Sequence, residues 1–371
     1  MKLGIDISQI IYGTGVSVYT RNLVTSLLEI DKKNDYLFFG GSLRRKKDLL
    51  DQVGDLQKIR PVSSKMTPFS PLVLDFLWNR FHFPPLEALA GDLDVFHASD
   101  WTHPPAKKTK LVTTIHDLSF LKWPTSVHPQ VLAVQKRRLK EIEKRVDGVI
   151  AVSGATKKEI LKNLKIPEEK ITVVYEALPG DVFSFEKANS HNELSKLKTR
   201  LGLEKPYFFA SGSLAPRKNT ERIFSAFDSF YRKNDFQLVV AGECRPKLNL
   251  PPGVVLTGFI SREDYLLLLS GAEALVYPSL YEGFGLPVLE SFALGVPVVT
   301  SNVSSLPEVA GEATVLVNPE SVEEIAAGME IALKNKNDLV KKGKEQVKKF
   351  SWQKCARETL AIYEKVFKEN H

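Results

Sequence analysis

Two carboxylates, Glu282 and Glu290, stand with seven residues between them within the stretch YPSLYEGFGLPVLESFALGVPVVT, from Tyr277 to Thr300. The apolar run Ala274 to Tyr277 reads as a buried parallel strand. Pro278 stops it, Gly283 and Gly285 allow a tight turn, and Pro287 opens a helix. Backbone N–H groups around Phe284, Gly285 and Leu286 would then point, with the positive end of the helix dipole, at an anion in the loop, and phosphate is the commonest such guest. Glu290, about one turn into the helix, faces back toward the same cavity, where a carboxylate can accept a pair of hydroxyls. A polyhydroxylated phosphate ester fits that arrangement. The plainer alternative is two surface acids stabilised by the helix dipole.

Three other places could join this chemistry. Gly212-Ser213-Leu214-Ala215-Pro216-Arg217-Lys218-Asn219 follows the strand Tyr207 to Ser211 and enters a helix that buries Ile223, Phe224 and Phe227. Arg217 and Lys218 on such a loop make a phosphate clamp, or else simple surface cations. Adjacent residues rarely point the same way, so Lys218 is expected to face the anion, with Arg217 turned toward solvent or a structural acid. His116-Asp117 emerge at the carboxyl end of the strand Leu111 to Ile115, where open α/β sheets bind ligands; a satisfied structural histidine is the alternative. Gly13-Thr14-Gly15 follows the first strand, Leu3 to Ile7, and precedes Val18, Tyr19, Leu23, Leu27 and Leu28 at helical spacing, so Gly15 borders either a ligand crevice or a tight turn.

The elements that must position these residues alternate between strand and helix. Asp35 to Phe39, Gln57 to Pro61, Val95 to Ala98, Leu111 to Ile115, Gly148 to Val152 and Ile171 to Val174 read as strands of a doubly wound domain. Tyr207 to Ser211, Phe236 to Ala241, Val254 to Thr257, Ala274 to Tyr277 and Val296 to Thr300 form a second such domain. Between them, the lysine-rich stretch from Leu178 to Pro206 reads as a linker with one helix. A chain of 371 residues, 43% hydrophobic, suits two cores better than one. Ser153 reads as a helix N-cap, and Ser305-Leu306-Pro307-Glu308 as a capping box.

The net charge of +7 implies an anionic partner. The basic clusters Arg44 to Lys47 and Lys136 to Arg145 lack the interleaved aromatics of a nucleic-acid module and read as solvated faces, so no nucleic acid is expected. Cys244 and Cys355 have no metal-ligand spacing and fit a reducing compartment. The chain runs directly into a strand, so no secretory signal is expected, and no apolar run is long enough to span a bilayer. The aromatic, proline-containing stretch Met66 to Ala90 is either a membrane-facing patch or a helix packed under a loop. Asp92-Leu93-Asp94 precedes its strand, at the closed end of the sheet, and reads as solvated turn residues.

The E-x7-E pattern, opening with E-G-F-G-L-P from Glu282, resembles the signature of the family 4 glycosyltransferases of GT-B fold. The G-x-L-x-P-R-K-N string resembles that family's diphosphate loop, with Ser213 where many members carry arginine. Gly258-Phe259-Ile260 resembles the loop over the nucleobase, the H-D pair the donor-sugar pocket, and the segment from Trp352 the helix that returns to the first domain. The resemblance implies two Rossmann-like α/β domains facing a cleft: residues 1–182 with 353–371 on the acceptor side, and 183–352 holding the nucleotide sugar.

It implies a retaining, metal-independent hexosyltransferase with no cofactor beyond its donor substrate. His116 and Glu282 would be catalytic, and Gly15, Arg217, Lys218, Phe259, Phe284, Gly285, Leu286 and Glu290 would bind the donor. The G-T-G-V-x-x-Y-T-R-N-L opening and the H-D-L pair look like mannosyltransferases, which implies GDP-mannose and a glycan or lipid-linked acceptor in cell-surface polysaccharide synthesis. A cytoplasmic protein with peripheral contact at the inner face of the membrane is expected. Rival readings are a sugar-nucleotide hydrolase or epimerase on the same fold, and a sugar-nucleotide-binding scaffold without turnover.

Overall fold

Strands such as Leu238–Ala241 and Ala274–Tyr277 carry no polar alternation, which suits burial on both faces between helices, and all of these residues are buried. The computed structural model describes residues 1–42, 44–185, 187–212, 215–232, 234–242 and 250–369. It divides into two units, Met1–Glu176 with Ser351–His371, and Ala177–Phe350.

The first unit holds β1 (Lys2–Asp6), β2 (Asp35–Gly41), β3 (Ser63–Thr67), β4 (Val95–Ala98), β5 (Lys110–Ile115), β6 (Gly148–Ala151) and β7 (Ile171–Val173). They form one parallel sheet in the order β3-β2-β1-β4-β5-β6-β7. The second unit holds β8 (Tyr207–Ser211), β9 (Gln237–Ala241), β10 (Val254–Gly258), β11 (Ala274–Tyr277), β12 (Val298–Ser301) and β13 (Val315–Val317). These are also parallel, in the order β10-β9-β8-β11-β12-β13. Each sheet reverses its strand order beside its own first strand, at β1 in one and β8 in the other.

The C-terminal helix Trp352–Lys368 is built into the first unit, with Trp352 edge-on to Tyr19 at 5.8 Å and the Tyr363 hydroxyl 2.6 Å from His97 Nδ1. The stretch read as a linker belongs to the second unit: its helix Lys187–Leu201 buries Leu197 and ties Arg200 to Asp264 at 2.9 Å. No strand forms at Gln57 to Pro61. Leu49, Val53 and Leu56 carry the helix Lys46–Gln57 through its start, and the edge strand is β3, whose alternately exposed SSKMT offers no apolar run. Among the described residues, no helix is long and apolar enough to cross a membrane.

The turn ahead of the helix Leu286–Leu294 depends on Gly285, at φ 109° and ψ 46°. A Cβ there would lie 2.9 Å from Leu306 Cδ2 in a conformation that L side chains avoid. Gly15→Ala meets open space and has no such conflict. Urea unfolding should therefore show a loss of about 1–3 kcal/mol for Gly285→Ala and almost none for Gly15→Ala.

Candidate active site

In the second unit, β9 and β11 flank β8, so the loops leaving β8 and β11 diverge at the carboxyl edge and open a crevice there. The described residues of those loops are 212, 215–219 and 278–285. They are tied directly, since Leu280 N–H donates to Arg217 O at 2.8 Å. Asn219, left-handed at φ 61°, donates its side-chain amide to Pro278 O at 2.9 Å and Pro319 O at 2.6 Å. Asparagine tolerates that backbone and supplies the two donors, a role its place in the cation string did not reveal.

Glu282, in the loop after β11, is 8% exposed. Its Oε1 accepts from Lys218 Nζ at 2.7 Å and from the Tyr277 hydroxyl at 2.8 Å, and its Oε2 accepts from Arg217 Nη1 at 2.9 Å. Burial pushes the carboxyl up, but Lys218 and Arg217 outweigh it and hold Glu282 below the ordinary glutamate value. The expected divergence of Arg217 and Lys218 is overturned. They leave one 3₁₀ turn, Pro216–Lys218, whose tight winding lets neighbouring side chains reach the two oxygens of one carboxylate. Arg217 does turn to an acid, and that acid is Glu282 itself. Ser213 and Cys244 lie outside the described residues.

Ser304 and Ser305 hold the backbone of the same loop. Glu282 N–H donates to Ser304 Oγ at 3.1 Å, and that hydroxyl donates to Glu282 O at 2.6 Å. Ser305 Oγ donates to Glu282 O and Phe284 O, both at 2.9 Å. The capping box read at Ser305 is thus absent, because its hydroxyl is spent on the loop and makes no cap bond.

Glu290 is buried in the helix Leu286–Leu294 and belongs to a separate network: Arg262 Nη2 donates to its Oε1 at 2.7 Å. Arg262 also reaches Asp181, with Nε 2.7 Å from Oδ2. Sequence reasoning missed both residues. The available signal was a cation in the first turn of the helix Arg262–Ser270, where the dipole disfavours it. Phe284 is buried edge-on to Phe350 at 5.7 Å, so its side chain serves the core. Phe259, by contrast, is 85% exposed.

In the first unit, His116 follows β5 and lines a cavity with Asp6, Tyr19, His97, Asp100 and Thr114. Its Nδ1 is 2.9 Å from Glu176 Oε1, and its ring meets Tyr19 edge-on at 4.7 Å. Burial depresses the imidazole, but Glu176 outweighs that and raises it above the ordinary value. Asp117 turns away and accepts from Ser119 N–H at 2.9 Å. Burial pushes the neighbouring His97 down to about 3, so it is neutral. Left-handed φ, 69°, falls on Gly13, while Gly15 opens the helix Gly15–Ile30. Ser153 caps the helix Gly154–Asn163, accepting from Thr156 N–H at 3.0 Å.

The basic run from Lys136 is not uniformly solvated. Arg138 is buried and donates to Thr113 Oγ1 at 2.9 Å and Thr114 O at 3.0 Å, and burial lowers its guanidinium to about 10.

Two parallel sheets, each reversing its strand order beside its own first strand, are the sheets of a GT-B architecture. Residues 13–178 match the family Glycosyltransferase Family 4, and residues 192–350 match Glycosyl transferases group 1. This chain belongs to the family 4 glycosyltransferases. O-antigen chain mannosyltransferase B of Escherichia coli is 28% identical over 285 residues, covering 72% of this chain and 74% of that protein. The crystal structure of a glycosyltransferase from Rickettsia africae superposes with a TM-score of 0.70 at 18% identity, over 99% of this chain and 98% of the other. HepE of Anabaena, in complex with UDP and glucose, gives 0.62 at 15% identity over 100% and 99%.

Two titrations bound the stability profile. Glu282 has a lowered folded value, so its contribution is present above the ordinary glutamate range and is lost as pH falls through the lowered one. His116 has a raised folded value, so its contribution is full below its ordinary value, about 6.5, and is lost as pH rises through the raised one. Urea midpoints measured across pH should show both limbs in the wild type, the acid limb weakened in Glu282→Gln and the neutral-to-alkaline limb removed in His116→Gln. Persistence of the second limb in His116→Gln would assign it elsewhere.

Proposed function

We propose that this glycosyltransferase moves mannose from GDP-mannose to a glycan or lipid-linked acceptor in cell-surface polysaccharide synthesis, with retention at the anomeric carbon and without a metal ion. The observation that carries the reading is the Arg217–Lys218–Glu282 cluster at the mouth of the second sheet. Two cations and one carboxylate leave one net positive charge there, beside the N-terminal end of the helix Leu286–Leu294, and a departing diphosphate needs that neutralisation. Both oxygens of Glu282 accept from these cations, which disposes it to hold them in place and not to attack a sugar carbon. Front-face substitution is favoured over a covalent glycosyl-enzyme on that ground. Glu290 is suited to a ribose diol, and His116, oriented by Glu176, to hydroxyls of the transferred sugar. The mannosyltransferase name of the Escherichia coli relative supports the sugar, and the UDP and glucose in HepE support a nucleoside diphosphate donor.

Initial rates at saturating donor, with and without EDTA, test the metal assignment; abolition with rescue by manganese would sink it. Lys218→Ala and Arg217→Ala should each lower turnover on the order of a hundredfold, because both cations share one carboxylate. Near-normal turnover in either removes that residue from the leaving-group site. Product analysis with and without acceptor separates transfer from hydrolysis, and absence of any product leaves the scaffold reading.

Peripheral contact with an anionic membrane is proposed on the first unit. Leu72, Val73, Phe76, Phe81 and Phe83 are exposed, and Phe76 and Phe81 pack at 4.5 Å. The neighbouring helix Pro129–Arg145, joined there through Arg137–Asp75 and through Glu141 at 3.1 Å from His82, exposes Lys136, Lys140 and Lys144 at four-residue spacing. Each lysine should strengthen binding to anionic vesicles about fivefold at low salt. Co-sedimentation should fall with Lys136→Glu/Lys140→Glu and with Phe81→Ser/Phe83→Ser; equal recovery on neutral and anionic vesicles would refute the contact.

A further inference from the structure

His116 is held at one atom by Glu176 and against its ring by a tyrosine, and that tyrosine is itself tied to the far end of the chain. His97 on β4 pairs with Val112 on β5, and side chains alternate along a strand, so His97 and Thr114 share one face of the first sheet. His116 continues that alternation two residues beyond Thr114. Two helices reach the same face: Gly15–Ile30 brings Tyr19 to Thr114, and Trp352–Lys368 brings Tyr363 to His97.

The polar atoms of these four buried residues form an unbroken chain. The Tyr363 hydroxyl lies 2.6 Å from His97 Nδ1, His97 Nε2 lies 2.9 Å from Thr114 Oγ1, and Thr114 Oγ1 lies 3.0 Å from the Tyr19 hydroxyl. His97 is neutral, so one ring nitrogen donates and the other accepts, and the bonds run head to tail from one tyrosine to the other. Loss of the Tyr363 hydroxyl leaves a buried nitrogen of His97 unpaired, and the cost passes down the chain. At its end the Tyr19 ring is fixed at its hydroxyl and backed edge-on by Trp352 at 5.8 Å. It meets the His116 ring edge-on, with centroids 4.7 Å apart and planes at 84°. Glu176 alone, holding Nδ1 at 2.9 Å, would leave the imidazole free to tilt about that bond, and the Tyr19 ring removes the tilt. Nε2, which has no hydrogen-bond partner among the described residues, is thereby held in one direction.

We infer that Tyr19, Thr114, His97 and Tyr363 are positioning residues for His116, through which the C-terminal helix sets the orientation of the histidine that meets the transferred sugar. The inference rests on the sugar-site reading of His116 given above. It separates these residues from ordinary core packing in one respect. A residue that acts through His116 has nothing left to disturb once His116 is gone, whereas a residue that only stabilises the unit adds its loss in any background. The charged groups facing His116 are Glu176 and Asp100, which favour its cation, and Arg138, which opposes it; Glu176 outweighs Asp100. A ring that turns away from Glu176 therefore gives up most of what favours its protonation.

Two measurements on the full chain test this, with Tyr19→Phe and Tyr363→Phe, which keep both rings and remove only the hydroxyls. Histidine-selective NMR follows the titration of His116, assigned by the signal missing from His116→Gln. Its midpoint should fall toward the ordinary histidine value in both phenylalanine variants, as it does in Glu176→Gln. GDP release from GDP-mannose, with methyl mannoside as the probe acceptor, counts transfer and hydrolysis together. Each phenylalanine variant should lower turnover about tenfold, the size of a modest misplacement, and leave the KM for GDP-mannose within about twofold. Neither should lower it further when combined with His116→Ala. An unmoved midpoint in both variants, or losses that multiply in the His116→Ala background, would reduce the chain to core packing and overturn the inference alone. Wild-type turnover in His116→Ala would instead sink the sugar-site reading of His116, and the inference with it.

Discussion

A carboxylate taken out of water must be neutralised, and Glu282 meets that demand with two cations of its own unit. Two cations from a single 3₁₀ turn and one tyrosine hydroxyl satisfy its oxygens. The surrounding structure follows from holding those partners still. Asn219 and the Leu280 amide fasten the cation loop to the strand exit, and Ser304 and Ser305 clamp the backbone on the other side. Removing any one of these leaves a buried polar group without its partner, which costs more than a surface contact would. The cluster is accordingly a rigid platform of fixed charge, the kind of preorganised field that stabilises a leaving anion without reorganising first.

That platform exists only because parallel strands force their loops to one edge. In both sheets the strand order reverses beside the first strand of the unit, so successive crossovers depart to opposite faces and the carboxyl edge opens between them. His116 after β5 and the loops after β8 and β11 occupy such edges. In the first unit the same edge brings Asp6, His97 and Thr114 around His116, residues that are scattered in sequence and individually unremarked.

The two signature acids divide their surroundings cleanly. Glu282 is engaged by cations within its own crevice, whereas Glu290 is engaged by one arginine that is shared with a second acid. The difference matters physically. Glu282 is held at both oxygens by two half-buried cations and the buried Tyr277 hydroxyl, whereas Arg262, with 42% of its side chain exposed, reaches Glu290 at one oxygen. An identical residue type, with seven residues between its two occurrences in the chain, therefore sits in two different electrostatic settings.

Much of this was legible in the chain itself. Apolar runs without alternation marked nearly every strand of both sheets, and the glycine-proline punctuation after Tyr277 located the turn and helix that carry Glu282 and Glu290. The motif strings placed Arg217, Lys218 and His116 at strand exits, since local pattern dictates which end of an element a residue occupies. What local pattern cannot contain is direction and partnership across distance. β3 was missed because an edge strand need not be apolar, and β13 because three residues, VLV, are too short a run to mark a strand. The shared target of Arg217 and Lys218, the diversion of Ser305 from its cap, the burial of Arg138 under β5 and the Asp181–Arg262–Glu290 link were decided by the tertiary structure alone. Each depends on which side chains are brought within hydrogen-bond reach from positions far apart in sequence, and burial then compels them to pair.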